Sequence, residues 1–506
     1  MEKVFERSAD FDTATTRGQL VRDLLGSTPA MIAAGTDYLP KQSAEHADDY
    51  KIRLEGGYLF NGYRRTRNYL TGLVFSEPVK ISEDSANKEQ FQVIEYDVDQ
   101  QGNNLRTWSQ MLFESGIDQG LACVLVDFPQ VKTRIENGRL EFWDDERQAW
   151  RPKTAAMDAE KGWRPFFVLV EQANILGIRY VYENGKKILD QIRILETVVD
   201  EPGDFDNEDE ETEQVRVLRR GSWQVYRKAK DKTGKESVYL HSEGDTSLDQ
   251  IPIALFKPGE DIGNAAAPAL EDLAQLNKRH WQATCDQVSL MSYVRRPPWF
   301  GKLLTDSDGN IEFGPGRLVH ATDAQADLKS VSVNPDAVDK GKDELMTLEE
   351  KMSLYGLMTL QPNYNAGAKT AFQSQQETTE STSLLKDWAL GCQDALDNAF
   401  KFAAMWMGLE VGQEPLINVN TEFNPAFGMA PEMMLKAIEI GVLSRQQVHE
   451  ELKRRGLIGE NWDWQDVRAM IEDDTRFAGP GGGLSGLADQ FGINTPGTPE
   501  PEGGGQ

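Results

Sequence analysis

The chain has 506 residues, more than one hydrophobic core accommodates, so more than one packed unit is expected. Hydrophobic residues make up 39% and charged residues 27%, with 11 Trp and 21 Phe, which excludes a wholly disordered chain. Lys and Arg total 54 against 82 Asp and Glu, a formal net charge of −28 that repels DNA and excludes a protein gripping nucleic acid by phosphate neutralisation. The three cysteines, Cys123, Cys285 and Cys392, are widely spaced and form no C-x-x-C, so neither a disulfide framework nor a zinc knuckle is expected. The first residues have no apolar core of a signal peptide, and no apolar run approaches the roughly 20 residues of a membrane span. A soluble intracellular protein, or one that ends in a particle, is expected.

Residues 11–35 have helical character, with Leu20, Val21, Leu24 and Leu25 on one face. Gly57–Gly62 has the glycine spacing of a phosphate loop, but Tyr63 stands where the phosphate-binding Lys must be, so that reading fails. Asn103-Asn104 can cap a helix carrying Leu105, Trp108, Met111 and Leu112 and ending near Gly116. A strand over 121–128 follows. Its Asp127 resembles the magnesium-holding Asp of NTPases, yet without the loop a buried strand with a solvated end is the better reading.

From Phe166 to Phe256 the pattern turns to strands: 167–170, 178–182, 188–199, one around Trp223 and Val225, and 237–241. Asn184-Gly185 predicts a tight hairpin, and Thr233-Gly234 turns the chain back again. The segment 201–213 holds eight acidic residues and no basic one, and reads as a solvated loop. Together these pieces predict a mixed α/β unit in the first half.

The second half is mostly helical. A helix over 266–294 carries Leu270, Leu273, Leu276 and Trp281 and ends at Arg295-Arg296-Pro297-Pro298. A β-rich excursion, 299–333, contains Asp306-Ser307-Asp308-Gly309-Asn310, a faint calcium-loop echo with its Gly too early, better read as a hairpin tip. A helix over 336–356 is marked by Leu345, Leu348 and Met352, and a polar loop with Pro362 and Gly367 follows. The next helix, 368–408, would span roughly 60 Å. Its Gln/Ser/Thr/Glu-rich start has poor helicity and suggests a kink or irregular beginning. These long helices show no obvious sealed core of their own over 266–408, which predicts closed rings. After a strand at 416–423 come three short helices, one opening at Pro431, one with a Ser444/Gln447 capping box, and one over 463–472. His449-Glu450-Glu451-Leu452-Lys453 lacks the second His of a zinc motif and reads as helix surface. In residues 479–506, ten Gly and four Pro predict a flexible tail dispensable for assembly. No catalytic constellation, cofactor site or metal site emerges.

The chain resembles the tailed-phage portal (head–tail connector) proteins, in a branch labelled only as a domain of unknown function. The resemblance covers about residues 37–475. It is carried by Tyr38-Leu39-Pro40-Lys41, Tyr50–Arg53, Phe60-Asn61, Leu73–Pro78 and Gly120–Asp127, then by the order helix, β insertion, helix, loop, long helix, and finally by Gly441–Gln447 and Leu452–Gly456.

This resemblance implies an α+β portal fold: a mixed α/β wing (1–264), first stem helix (265–297), clip (298–335), second stem helix (336–357), tunnel loop (358–370), central long helix with a return strand (371–428), helical crown (429–476) and disordered tail (477–506). It implies a non-enzymatic ring, dodecameric in particles, at one capsid vertex. Double-stranded DNA would enter and leave through it, and the clip would dock the terminase large subunit and later the head–tail adaptors. Major capsid or scaffolding protein would be a further partner, the location being the virion and, during assembly, the host cytoplasm. Twelve copies would carry roughly −340 charges, a wall that keeps sliding DNA loosely held. Candidate channel residues are Gln361, Asn363, Tyr364, Asn365 and Lys369, and candidate docking residues are Lys302, Asp306, Asp308 and Glu312. A phage-head assembly protein that binds only proteins is the alternative, and an enzyme of the packaging machinery comes third.

Overall fold

The computed structural model describes residues 2–82, 85, 87–129, 133–136, 139–144, 147–152, 157, 161–201, 210–230, 236–246, 248–297, 299–302, 325, 327–330, 334–355, 371–409, 412–421, 444–454 and 462–477. The chain divides into two units, residues 1–423 and 424–506. The described elements mix helices and strands, consistent with the expected α+β class.

The first unit begins with α1 (Ala9–Leu25) and α2 (Ser27–Ala34). The single helical stretch expected over 11–35 is therefore two helices, broken at Gly26 and Ser27, where Ser27 takes φ 66°. Three helices with weak sequence signals follow: α3 (Ala47–Gly56), α4 (Gly62–Val74) and, after the short strand β1 (Lys80–Ile81), α5 (Lys88–Tyr96). Gly57–Asn61, the failed phosphate loop, leads into α4, whose first turn is capped by the Asn61 side chain accepting from Arg64 N at 2.9 Å. Helix α6 (Leu105–Gln119) starts as expected, with Asn104 Oδ1 accepting from Thr107 N at 2.9 Å. It ends at Gly120 rather than near Gly116. Gly120 has φ 88°, and a Cβ there would lie 2.0 Å from the Ala267 carbonyl oxygen, so the stop is set by a close backbone approach.

Strand β2 (Ala122–Asp127) is the hinge of the core. Ala122, Val124 and Val126 face one apolar cluster, while Leu121, Cys123 and Leu125 face a second. Burial on both faces explains its uninterrupted apolar run. A three-stranded meander, β3 (Thr133–Glu136), β4 (Arg139–Asp144) and β5 (Ala149–Pro152), was not legible in the sequence. Strand β6 (Phe166–Glu171) pairs antiparallel with β2, whose other neighbour is β12 (Ile253–Phe256). Between them in sequence lies a five-stranded antiparallel sheet in the order β11-β10-β9-β8-β7, formed by β7 (Ile175–Glu183), β8 (Lys186–Glu201), β9 (Glu210–Arg219), β10 (Ser222–Lys230) and β11 (Glu236–Asp245). Asn184 (φ 52°) and Gly185 (φ 78°) form the expected tight turn between β7 and β8. The acidic segment 201–213 is not all loop: residues 210–213 already belong to β9. Asp127 is not a solvated strand end either, because Arg216 of β9 ion-pairs with it at 2.7 Å and with Glu196 of β8 at 2.8 Å.

After the small strands β13 (Asp261–Ile262) and β14 (Ala265–Ala266) comes α7 (Glu271–Arg295), which begins five residues later than 266 because the chain is still strand at Ala266. The short ribbon β15 (Trp299–Lys302) and β16 (Asp327–Ser330) pairs antiparallel, and α8 (Pro335–Tyr355) returns along α7. Helix α9 (Ala371–Trp406) runs through 36 residues without a break, including its polar start. Its buried stripe, Leu385, Trp388, Ala389, Cys392, Leu396, Ala399, Phe400 and Ala403, packs on β2 and β12. Phe167 meets both Phe400 (5.2 Å between centroids) and Trp108 (5.6 Å), fastening α9 to β6 and α6. Of the strand expected at 416–423, the described residues hold β17 (Ile417–Asn418), paired with β1, and 422–423 lie outside them.

The second unit contains α10 (Arg445–Arg454) and α11 (Trp464–Phe477). The Ser444 capping box forms as read: Ser444 Oγ accepts from Gln447 N at 3.2 Å, and Gln447 Oε1 accepts from Ser444 N at 2.9 Å. Helix α11 continues past 472 to Phe477. The helix expected at Pro431 and the Gly-rich tail lie outside the described residues.

Candidate functional site: a helical hairpin seated in a polar socket

Helix α7 has two dissimilar halves. Leu273, Ala274, Asn277, His280, Trp281, Ala283, Thr284 and Cys285 are buried, whereas none of residues 286–296 is. The buried half packs against α1, α3 and α4. This overturns the expectation that 266–408 lacks a sealed core: Leu273, Trp281 and Cys285 share one apolar cluster with Leu385, Leu396 and Phe400 of α9.

The socket joins residues quoted above for the resemblance, Tyr38, Pro40, Arg53 and Phe60, to polar residues of α7. Asn277 Oδ1 accepts from Tyr63 N at 2.8 Å, and its Nδ2 donates to the Phe60 carbonyl at 2.8 Å. The Phe60 ring lies 5.3 Å from that of His280. Gln282 donates to the Tyr38 carbonyl. Arg53, only 5% exposed, pairs with both Glu45 oxygens (2.7 and 2.8 Å), with Asp286 (2.9 Å) and with the Pro40 carbonyl (2.9 Å). The Glu45 carboxylate beside it raises the Arg53 pKa further and is itself held below the usual carboxylate range by that guanidinium. At the start of the helix, Arg17 grips Glu271 with its guanidinium.

Beneath the socket the network continues inward. The Tyr63 hydroxyl donates to Asp118 Oδ1 at 3.0 Å, and Arg67 reaches Glu114 (2.6 Å) and Asp118 Oδ2 (3.3 Å). Burial raises the Asp118 carboxyl to a pKa of about 7, against the opposing pull of Arg67 and Tyr63.

Helix α8 completes the hairpin. Its inward stripe, Val338, Gly341, Leu345, Leu348 and Met352, has the 3-4-3-4 spacing of a helix seam. Arg279 pairs with Glu344 (2.9 Å), His280 meets Glu349 (3.2 Å), and Gln287 donates to the Val338 carbonyl (3.0 Å). Burial lowers the His280 pKa, and Glu349 partly opposes the shift. Its exposed charged side chains are mostly acidic: Asp336, Asp339, Asp343, Glu344, Glu349 and Glu350, against Lys340, Lys342 and Lys351. Apolar side chains are open on both helices, with Tyr293 47%, Val294 43%, Met346 52%, Leu354 49% and Tyr355 52% exposed.

Of the candidate docking residues, Lys302 is exposed and lies opposite Asp327 in the β15–β16 ribbon. Asp306, Asp308 and Glu312, and the channel candidates Gln361, Asn363, Tyr364, Asn365 and Lys369, lie outside the described residues. All three cysteines are buried, and their thiols are pushed up by burial, to about 12 for Cys285 and Cys392. No group of three or more metal-ligating side chains occurs among the described residues. No helix among them is long and apolar enough to cross a membrane.

Sequence reading missed Asn277 and the burial of Arg53. A polar residue inside an apolar helical stripe was the available signal for the first. The second had none.

Residues 269–407, which hold α7, the β ribbon, α8 and α9, match a family described as a domain of unknown function (DUF4055). No curated protein matches the chain. Among solved structures, the chain is similar to one from the neck of an empty GTA particle computed with C6 symmetry, at 10% identity and a TM-score of 0.38 over 85% of this chain and 98% of the other. It is also similar to one from the neck of a native GTA particle computed with C12 symmetry, at 12% identity and a TM-score of 0.37 over 86% and 99%.

Proposed function

We propose that the protein is a portal-type connector subunit: a non-enzymatic, ring-forming component of a phage-like particle. The observation that carries this reading is the α7–α8 hairpin. Its inner half is locked into the unit by Asn277 and Trp281, while its outer half leaves Tyr293 and Val294 open and ends in a β ribbon. Identical hairpins standing side by side would cover those apolar side chains, an arrangement that a closed ring supplies and a monomer does not. The exposed, mostly acidic side chains of α8 suit a wall past which DNA slides, because they offer phosphates no trap.

In this reading twelve copies surround double-stranded DNA at the capsid vertex, and the ribbon carrying Lys302, with Asp306, Asp308 and Glu312, meets the terminase large subunit and then the adaptor proteins. The loop 358–370 narrows the channel, with Gln361, Asn363, Tyr364 and Asn365 as polar contacts and Lys369 as a weak, salt-dependent one. Negative-stain microscopy of the purified protein is expected to show rings with an axial hole near DNA width. Solid particles without a hole would favour a protein-only assembly role, and measurable ATP turnover would favour an enzyme. Lys369→Glu is expected to leave rings intact and to impair packaging or retention of DNA. Normal packaging across a range of salt would remove Lys369 from the channel role.

A further inference from the structure

Strand β8 joins two ends of opposite charge. It starts with Lys186 and Lys187, and Arg220, in the turn between β9 and β10, lies at the same end. At its finish, the connection to β9 and the first residues of that strand hold Asp204, Asp206, Glu208, Asp209, Glu211 and Glu213 and no base. Residues 202–209 of this connection lie outside the described residues.

A crevice of about 440 Å³ opens at the basic end. Its floor is apolar: Ile251 and Ile253 are buried, and Leu189 and, from α9, Phe402 are half-buried. Its rim is exposed and carries Lys186, Lys187 and Arg220 against one acid, Asp249. Arg220 pairs with Glu183 at 2.8 Å, and Lys187 lies 4.1 Å over the Tyr180 ring. In a chain of net charge −28, a basic rim over an apolar floor selects an acidic occupant that carries an apolar side chain.

The acidic connection has that composition. Phe205 is the only large apolar residue between Val199 and Val215, and it stands between Asp204 and Asp206. It cannot enter the crevice of its own subunit. From Leu189 to Glu201 the strand rises roughly 40 Å at about 3.3 Å per residue. The stretch from Glu201 to Phe205 spans at most about 14 Å when fully extended. Another copy has no such limit.

We infer that the acidic connection of one copy docks in the basic crevice of a second, with Phe205 on the apolar floor and Asp204 and Asp206 against Lys186, Lys187 and Arg220. Donor and receptor lie at opposite ends of one strand, so the contact is head-to-tail, and each copy can both give and receive. It needs two copies of this chain, but neither the α7–α8 contact nor the DNA role proposed above. Its ionic part is screened by salt, so docking weakens as ionic strength rises.

The test uses the full-length protein carrying Phe205→p-benzoylphenylalanine, a photo-reactive side chain, as an equal mixture of isotope-labelled and unlabelled copies. Mass spectrometry is expected to find position 205 joined to 186–189, 220 or 249–253, in pairs that combine a labelled and an unlabelled chain. Lys186→Glu with Lys187→Glu is expected to lower that yield roughly tenfold, and adding Asp204→Lys with Asp206→Lys to restore it. Restoration separates an ionic contact from damage to the fold. Cross-links confined to single chains, cross-links to other surfaces, no cross-links, or a yield indifferent to both charge changes overturn the inference. Rings seen by microscopy with position 205 joined elsewhere would keep the proposed function and remove this contact. Crevice cross-links without rings would do the reverse.

Discussion

The two halves of α7 contain similar apolar material and meet different fates. Leu273, Leu276 and Trp281 mark the first half; Val288, Leu290, Met291, Tyr293 and Val294 mark the second. The first half is enclosed by α1, α3, α4 and α8, whereas the second has no buried side chain. An apolar stripe therefore states a capacity for burial, and the neighbouring elements decide whether it is used. In the first half the decision is reinforced by polar locks, Asn277 to the Tyr63 backbone and, at its boundary, Arg53 to Asp286.

The largest test of this contrast is Trp281→Ala. Trp281 is fully buried, and its truncation is expected to cost about 3–5 kcal/mol, measured by denaturant unfolding. A loss below about 1 kcal/mol would mean that the seat of α7 is loosely packed.

The next is a pH dependence of the network below the socket. Asp118 has its pKa raised to about 7 in the folded chain, against 3.8 for an ordinary Asp, because it is buried. The unfolded chain thus releases its proton first as pH rises. The stability contributed by the neutral carboxyl is full below about pH 4, falls as pH increases, and is lost once pH passes about 7. The loss is on the order of a few kcal/mol. Asp118→Asn is expected to flatten this slope in thermal unfolding between about pH 4 and 7. An unchanged slope would assign the dependence to other groups.

Asn277→Ala would leave the Tyr63 amide without its partner and remove one of the two donors to the Phe60 carbonyl, which keeps the Gly62 N–H. A loss of about 1–3 kcal/mol is expected in the same unfolding measurement. Its companion on the outer half, the double substitution Tyr293→Ser and Val294→Ser, is expected to change subunit stability by no more than about 0.5 kcal/mol. If the hairpin is the subunit contact proposed above, that pair will nevertheless abolish rings in sedimentation velocity. Unimpaired rings would place the contact elsewhere.

Local signals were legible where a few adjacent residues settle a conformation. Asn104 caps α6, Asn184-Gly185 makes the β7–β8 turn, and Ser444 with Gln447 forms a reciprocal cap. Each is a contest between neighbouring backbone groups, decided within about one turn of chain. Helices α3, α4 and α5 escaped reading because their apolar residues are sparse and interrupted by arginines, acids and glycines. Arg53 and Arg67 are partnered by residues up to 233 positions away, so their burial leaves no local trace. Of the candidate site, Lys302 and the β ribbon fall on described structure, and the channel candidates do not.

Composition and periodicity by themselves determined the acidic character, the mixed α/β first half, the helical second half and the position of the ribbon between two helices. Those properties follow from charge counts and from the 3.6- and 2-residue repeats that any segment carries alone. Tertiary structure decided that β2 is buried on both faces, that Asp127 meets Arg216, and that α7 is half socketed and half open. The reason is physical: burial and pKa are properties of the surroundings a side chain acquires, and those surroundings come from segments that the chain brings together only when it folds.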